Sequence, residues 1–179
     1  MVARQHFSSL NLPPSLRRLS RRQGSTPRVD FRYPCLQIDE RSPVDIREML
    51  LKQVQTLECV ELQATALSVP GASALVLCEG LAKGQPEAFI RGREFAIVRQ
   101  DGSTHLTLPP TWGQRVLDRG WATVHPLVRY LAGVLPPQSL VLYAPRDRKE
   151  LTVAWKIFQA AYCFARGEIE GRPLPDSAW

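Results

Sequence analysis

The stretch GREFAIVRQDGSTHLTLP, residues 92–109, carries a glutamate and a histidine on two short segments joined by DGS. The ordinary pKa of imidazole lies near neutrality, so His105 can accept or donate a proton in a reaction. Glu94 can act as a general acid or base, although the neighbouring Arg91 and Arg93 also suit it to an ion-paired strand residue. The same residues also fit a hairpin without any chemical role.

Four more side chains in the C-terminal half could contribute to a site. His125 lies in TVHPL, where Pro126 holds the histidine in an extended conformation. Arg146 can bind a carboxylate or enolate oxygen through two parallel hydrogen bonds, and Tyr143 can donate one. Arg99 can bind an anion but remains protonated, which makes it a poor base.

The four cysteines, at positions 35, 59, 78 and 163, are widely spaced and form no CxxC pair. This spacing argues against a zinc ribbon or a redox motif and indicates reduced, mostly buried thiols. Two well-separated histidines are weak evidence for a metal site. We therefore expect the protein to bind no metal.

The positive charge of the chain is concentrated at its N-terminus. Six of the 23 arginine and lysine residues lie in residues 1–28, which hold no acid, so the remaining 17 balance the 17 acids. A neutral body makes nucleic-acid binding an unlikely function, and no apolar run is long enough to span a bilayer. Residues 1–30 are predicted to be a disordered basic tail. The tail either leaves the protein in the cytoplasm or, in a eukaryote, resembles a mitochondrial or plastid transit peptide.

Helices are predicted on both sides of a group of strands. Ser42 as cap and Pro43 as first residue begin a helix with apolar residues at helical spacing as far as position 57. Thr111 and Gln114 form a capping box for a short helix, and Asp147 caps a last long one. Residues 125–137 are expected to be a loop with about one helical turn. Strands are expected at residues 60–68, 73–79, 139–145 and in both arms of the 92–109 hairpin.

This order indicates an α+β fold in which helices pack on one face of an antiparallel sheet. A single domain is expected over residues 31–170, followed by an irregular tail at 171–179. The chain shows no βαβ alternation and no glycine-rich phosphate loop.

The type of turn in the hairpin determines which side chains meet. A two-residue turn at Asp101–Gly102 places Val98 opposite His105, on the face that carries Glu94. A three-residue loop at residues 100–102, with Gly102 in the left-handed conformation, places Ile97 opposite His105 and Arg99 on the same face. A shift of one residue moves every side chain to the other face of the sheet.

Three stretches, REFA…DGSTHLTLP, RGWATVHPL and LPPQSLVLYAPRDRKEL, resemble the luciferase-domain family over about residues 88–166. In that family the first stretch has two histidines at positions that are here Ile97 and Arg99. The resemblance favours the three-residue loop, because only that loop brings the family's histidines together. It implies a cofactor-independent addition of O2 to a small enolisable aromatic or polyphenol-like molecule.

The resemblance leaves two functions open. In the first, the protein is an enzyme in which His105 and His125 transfer protons and the substrate is bound by Glu94, Arg99, Tyr143 and Arg146. In the second, the loss of the two family histidines has left a non-catalytic protein that binds a small ligand or a protein partner. We expect no cofactor in either case, and the sequence does not indicate an oligomeric state.

Overall fold

The computed structural model describes residues 14–67, 69–130, 133 and 135–168. In these ranges, antiparallel strands form one six-stranded sheet in the order β1-β2-β3-β4-β6-β5. The strands are β1 (Val60–Ala64), β2 (Ser73–Leu77), β3 (Glu94–Val98), β4 (Thr104–Thr107), β5 (Ala122–Val124) and β6 (Ser139–Leu142). The α-helices are α1 (Pro14–Arg17), α2 (Val44–Val54), α3 (Pro110–Asp118) and α4 (Arg148–Ala165), and 3₁₀ turns occur at Pro86–Ala88 and Pro126–Arg129.

The helices cover one face of the sheet, which confirms the predicted α+β fold. Leu50 of α2 and Phe158 of α4 are fully buried against core-facing strand residues such as Leu106 and Leu140. Complete burial of a large apolar side chain stabilises a protein by about 1.5–3 kcal/mol. None of the helices in the described ranges is long and apolar enough to cross a membrane.

The last helix begins as the sequence predicts. One carboxylate oxygen of Asp147 accepts hydrogen bonds from the backbone N–H groups of Lys149 and Glu150, both at 2.8 Å. These two N–H groups have no partner within the helix, so the cap stabilises its first turn. Beyond the cap, Ala154, Phe158 and their helical neighbours form the apolar stripe that packs on the sheet.

The other two predicted caps are wrong. Ser42 does not cap α2, because its hydroxyl donates to the carbonyl of Pro145 at 2.6 Å and the cap position is occupied by Pro43. Thr111 lies inside α3, whose cap position is Pro109 and whose first residue is Pro110. Proline favours the start of a helix because its fixed φ suits the first turn.

The predicted tail is partly packed on the domain. Residues 1–13 lie outside the described residues, as do residues 169–179, so the disorder and irregularity expected there are not addressed. Within residues 14–30, however, Leu16 and Leu19 are buried in the helix-side core, and the side chain of Arg22 is buried beside Glu40 and Glu150. Leu16, Leu19 and Arg22 therefore pack on the same domain as the residues after position 31.

Candidate ligand-binding site

The β3–β4 loop sets the register of the strands that carry the site. Gly102 has a φ of +85°, and the Arg99 N–H donates to the Ser103 carbonyl at 2.9 Å across a three-residue loop. Ile97 is therefore paired with His105, as the three-residue alternative predicts. Arg99 and His105 consequently lie on the sheet face opposite the helices.

A β-bulge at the second residue of β3 changes which face of the sheet the first side chain of the strand lies on. Val76 is paired with Glu94 and Leu75 with Ala96, which leaves Phe95 as the extra residue. Phe95 and Ala96 both belong to the helix-side core. Because of the bulge, Glu94 lies on the same face as Ile97; regular alternation would have placed it in the helix-side core.

A segment that we call the strap, residues 28–38, covers part of the face opposite the helices. Val29 pairs with Gln37 across the strap, and the Gln37 backbone N–H donates to Asp101 at 2.5 Å. The Gln37 side-chain oxygen accepts from the Ala144 N–H at 3.0 Å. These bonds fix the strap to the loops at the end of the sheet.

Between the strap, the sheet and two loops lies a pocket with about 470 Å³ of empty space, counting the part open to solvent. Its polar groups come from Arg99, His105 and His125, and most of its other walls are apolar. Tyr33 at its edge donates a hydrogen bond to the carbonyl of Leu67 and so links the strap to the β1–β2 loop. The remaining lining residues are Pro34, Val69, Ile97, Leu127 and Leu135.

Arg99 is buried, with 2% of its surface exposed, and it holds His125 in place. Its Nη1 donates to the Cys35 carbonyl at 3.1 Å, and its Nη2 lies 2.9 Å from His125 Nε2. A guanidinium can only donate, so Nε2 accepts and the imidazole proton lies on Nδ1. The contact of 3.3 Å between Nδ1 and the Leu127 N–H is then weak, because a neutral imidazole accepts at one nitrogen only.

The charge of Arg99 has no counter-ion in the described part of the chain. Ion pairs formed by described residues involve other arginines, and none includes Arg99. Burial lowers the pKa of Arg99, and the charge of Asp101 opposes this effect, but the Asp101 carboxylate is hydrogen-bonded to Ser103 and Gln37. A buried charge without a partner is unfavourable, so an anion entering this pocket would be stabilised.

His105 supplies a free hydrogen-bonding position. Its ring lies against that of His125, with a distance of 4.3 Å between centroids and an angle of 37° between planes. His105 is 2% exposed, and its Nε2 has no hydrogen-bond partner among the described residues. Buried polar atoms in proteins are nearly always paired, so this nitrogen marks a place where a ligand or a water molecule can bind.

Both imidazoles are weaker bases than the sequence suggests. Burial, and after it the charge of Arg99, lowers the pKa of His125 from 6.5 to about 3. Burial is also the main cause that lowers the pKa of His105 well below 6.5, followed by the effects of His125 and Arg99. The expectation of a base with a pKa near neutrality is therefore wrong, and both rings are neutral at pH 7.

Tyr143 and Arg146 do not line the pocket that contains the two histidines. The guanidinium of Arg22 lies 5.6 Å from the centre of the Tyr143 ring. Arg146 binds Glu150 at 2.5 Å and Glu40 at 3.2 Å. His105 and His125 thus line one pocket as expected, whereas Tyr143 and Arg146 lie outside it.

Glu94 supports the pocket wall from outside the lining. Its carboxylate accepts from the Thr65 hydroxyl at 2.9 Å and from the Ala66 N–H at 2.7 Å. These bonds hold the loop that carries Leu67 and Val69. The sequence analysis did not identify Tyr33, Leu67, Val69 or Leu135 as site residues, because scattered apolar loop residues carry no recognisable signal.

Comparisons with known proteins agree with the resemblance. Residues 92–161 match the family model described as luciferase domain. A luciferase from Armillaria mellea is 30% identical over 74 residues, which make up 41% of this chain and 28% of that protein. The chain thus spans less than a third of the length of that relative, and no solved structure matches it. Residues 92–161 are therefore similar to the luciferase-domain family.

Proposed function

We propose that the protein binds a small acidic enol or phenol as its anion in the Arg99 pocket and catalyses its reaction with O2 without a cofactor. The observation that supports this proposal is a buried guanidinium without a carboxylate partner among the described residues, next to two neutral imidazoles and apolar walls. Low-dielectric surroundings strengthen the attraction between such a cation and an anionic ligand. Pairing with the ligand would relieve the unfavourable burial of the Arg99 charge.

The low pKa values change the roles proposed for the histidines. An acidic enol loses its proton to water near neutral pH, so the pocket can take up the anion directly. Neutral His105 then accepts a hydrogen bond from a second hydroxyl of the ligand at its buried Nε2, which has no partner among the described residues. His125 holds the guanidinium at 2.9 Å and orients it toward the ligand. The electron-rich anion reacts with O2 while Arg99 stabilises the negative charge.

A non-catalytic ligand-binding protein is the second candidate. It is favoured because neither imidazole has a pKa near neutrality, which an efficient general base requires. The chain also has Ile97 and Arg99 where the family pattern has histidines. A protein that keeps the pocket but not the reaction would bind the same anions without consuming O2.

Calorimetry and an oxygen electrode separate these candidates. The ligands are a hydroxypyrone, which ionises, and its methyl ether, which cannot. We expect the hydroxypyrone to bind and the ether to bind at least tenfold more weakly. Arg99→Met should weaken binding of the hydroxypyrone by about 10–150-fold, the equivalent of about 1.5–3 kcal/mol for a hydrogen bond to a charged group. Arg93→Met is the matched control, because Arg93 lies on the same segment and donates to the Leu77 carbonyl, away from the pocket.

The outcomes have distinct meanings. Binding with O2 consumption, both reduced in Arg99→Met, supports the oxygenase. Binding of the hydroxypyrone that is reduced in Arg99→Met but is not accompanied by O2 consumption supports the non-catalytic protein. If the hydroxypyrone and its ether bind equally well, or if Arg99→Met binds like the wild type, the anion site is refuted.

A further inference from the structure

Two cysteines lie opposite each other at the open end of the β1–β2 hairpin. Val60 pairs with Leu77, so the next pair outward is Cys59 and Cys78. The Cys78 N–H donates to the Cys59 carbonyl at 2.9 Å, which confirms that the two residues are direct neighbours. Residues directly opposite in an antiparallel pair have Cα atoms about 4.5–5.5 Å apart, within the range of about 4.4–6.8 Å that disulfides span. Cys59 itself has a left-handed φ of +61°, and its thiol is hydrogen-bonded to the Cys78 thiol.

Both thiols can be reached by solutes. Cys59 is exposed and Cys78 is partly exposed. Neither is part of the ligand pocket, whose walls come from the opposite end of this hairpin. The pair is therefore a feature separate from the proposed binding site.

The surroundings of Cys78 favour its thiolate. A hydrogen bond from the Cys59 thiol is the largest cause that lowers the pKa of Cys78, and the backbone N–H groups of Leu81 and Gly80 and the charge of Arg93 act in the same direction. The same thiol contact is the largest cause that raises the pKa of Cys59. The pair thus consists of one thiol that ionises more readily and one that keeps its proton, which is the arrangement of an attacking and a resolving cysteine.

We propose that Cys59 and Cys78 form a reversible disulfide when the protein meets hydrogen peroxide. The Cys78 thiolate attacks one peroxide oxygen, which breaks the O–O bond, gives a sulfenic acid at Cys78 and, after protonation, releases water. Cys59 sulfur then attacks the Cys78 sulfur, the S–O bond breaks, and a second water leaves. In total, two thiols are oxidised by two electrons and one hydrogen peroxide is reduced to two waters.

The remaining two cysteines differ from this pair. Cys35 belongs to the strap and is buried. Burial and the neighbouring Glu168 raise the pKa of Cys163 to about 12, which leaves almost no thiolate at neutral pH. Both thiols should therefore react slowly with peroxide.

The test uses the full chain, reduced and then treated with hydrogen peroxide at neutral pH. Free thiols are blocked with an alkylating agent, and the protein is digested without reduction and examined by mass spectrometry. We expect a peptide pair joined through Cys59 and Cys78, removed by dithiothreitol, in protein that stays monomeric on a non-reducing gel. In Cys59→Ser, the sulfenic acid at Cys78 should be trapped by dimedone.

Cys163→Ser is the matched control and should form the disulfide at the wild-type rate. Loss of the Cys78 thiol should be at least tenfold faster than loss of the Cys163 thiol in the wild type. The proposal is overturned if the joined peptides are absent after both thiols have been oxidised, or if the oxidised product is a disulfide-linked dimer. The wild-type result alone decides this point if a variant fails to fold.

Discussion

Acid should destabilise this protein well above the pH at which its carboxylates titrate. The cause is that both pocket histidines are buried as neutral rings. His125 has a pKa of about 3 in the folded protein against 6.5 in an unfolded chain. Between these two values the unfolded chain binds a proton that the folded protein does not, so stability is full above pH 6.5 and is lost as the pH falls toward 3.

The size of the effect follows from this difference. Each group of this kind lowers the free energy of unfolding by about 1.4 kcal/mol per pH unit below 6.5. Between pH 7.5 and 5.0, His125 alone removes about 2 kcal/mol, and His105 acts in the same direction. Asp30, Asp39 and Glu40 have pKa values lowered from 3.8 or 4.5, so they do not contribute in this range.

Urea unfolding followed by tryptophan fluorescence at pH 7.5 and pH 5.0 measures the effect. His125→Gln is the informative variant, because the amide oxygen can accept from Arg99 but cannot titrate. It should reduce the difference between the two pH values by about 2 kcal/mol. A wild-type difference below about 1 kcal/mol, or a full difference in His125→Gln, would refute the reasoning.

Two further predictions concern the loops and helix ends that position the site. Gly102→Ala should destabilise the protein by about 2–4 kcal/mol, because the glycine has a φ of +85° and an added Cβ would overlap the side chain of Ser42. Gly92 has a φ of +57° with open space around it, so Gly92→Ala should lower the free energy of unfolding by only about 1 kcal/mol in the same urea experiment. Asp147→Ala should lower the free energy of unfolding by about 1 kcal/mol, because the cap of α4 is lost. Asp45 lies in a helix without a side-chain cap, so Asp45→Ala should change this free energy by less than about 0.5 kcal/mol. Equal losses in the two aspartate variants would contradict the capping role.

The parts of the fold that the sequence predicts are set by neighbouring residues. Gly102 allows the left-handed loop position that pairs Ile97 with His105. The same residues also allow a two-residue turn, and it is the family resemblance that favours the three-residue loop. Asp147 precedes the apolar stripe of α4 and caps it. In each case the determining residues lie within a few positions of one another, so the physical cause is visible in a short stretch of sequence.

The parts that the sequence does not predict depend on distant segments. Ser42 bonds to the carbonyl of Pro145, and this tertiary contact displaces the expected cap. β5 has only three residues, too few for a strand pattern, and it is defined by its pairing with β6. Tyr143 and Arg146 contact residues 22–40, a region that the composition partly assigns to a disordered tail. A local sequence pattern does not predict contacts between segments that are so far apart in the chain.

The pocket walls come from four separated parts of the chain: residues 33–34, 67–69, 97–105 and 125–135. Such a cavity is absent from the unfolded chain, so whatever occupies it adds its binding free energy to the stability of the whole protein. At a concentration 100 times its Kd, a ligand adds about 2.7 kcal/mol, which corresponds to an increase in Tm of about 5–10 °C for a chain of this size. A melting-temperature screen of small acids can therefore find the natural ligand before any reaction is known.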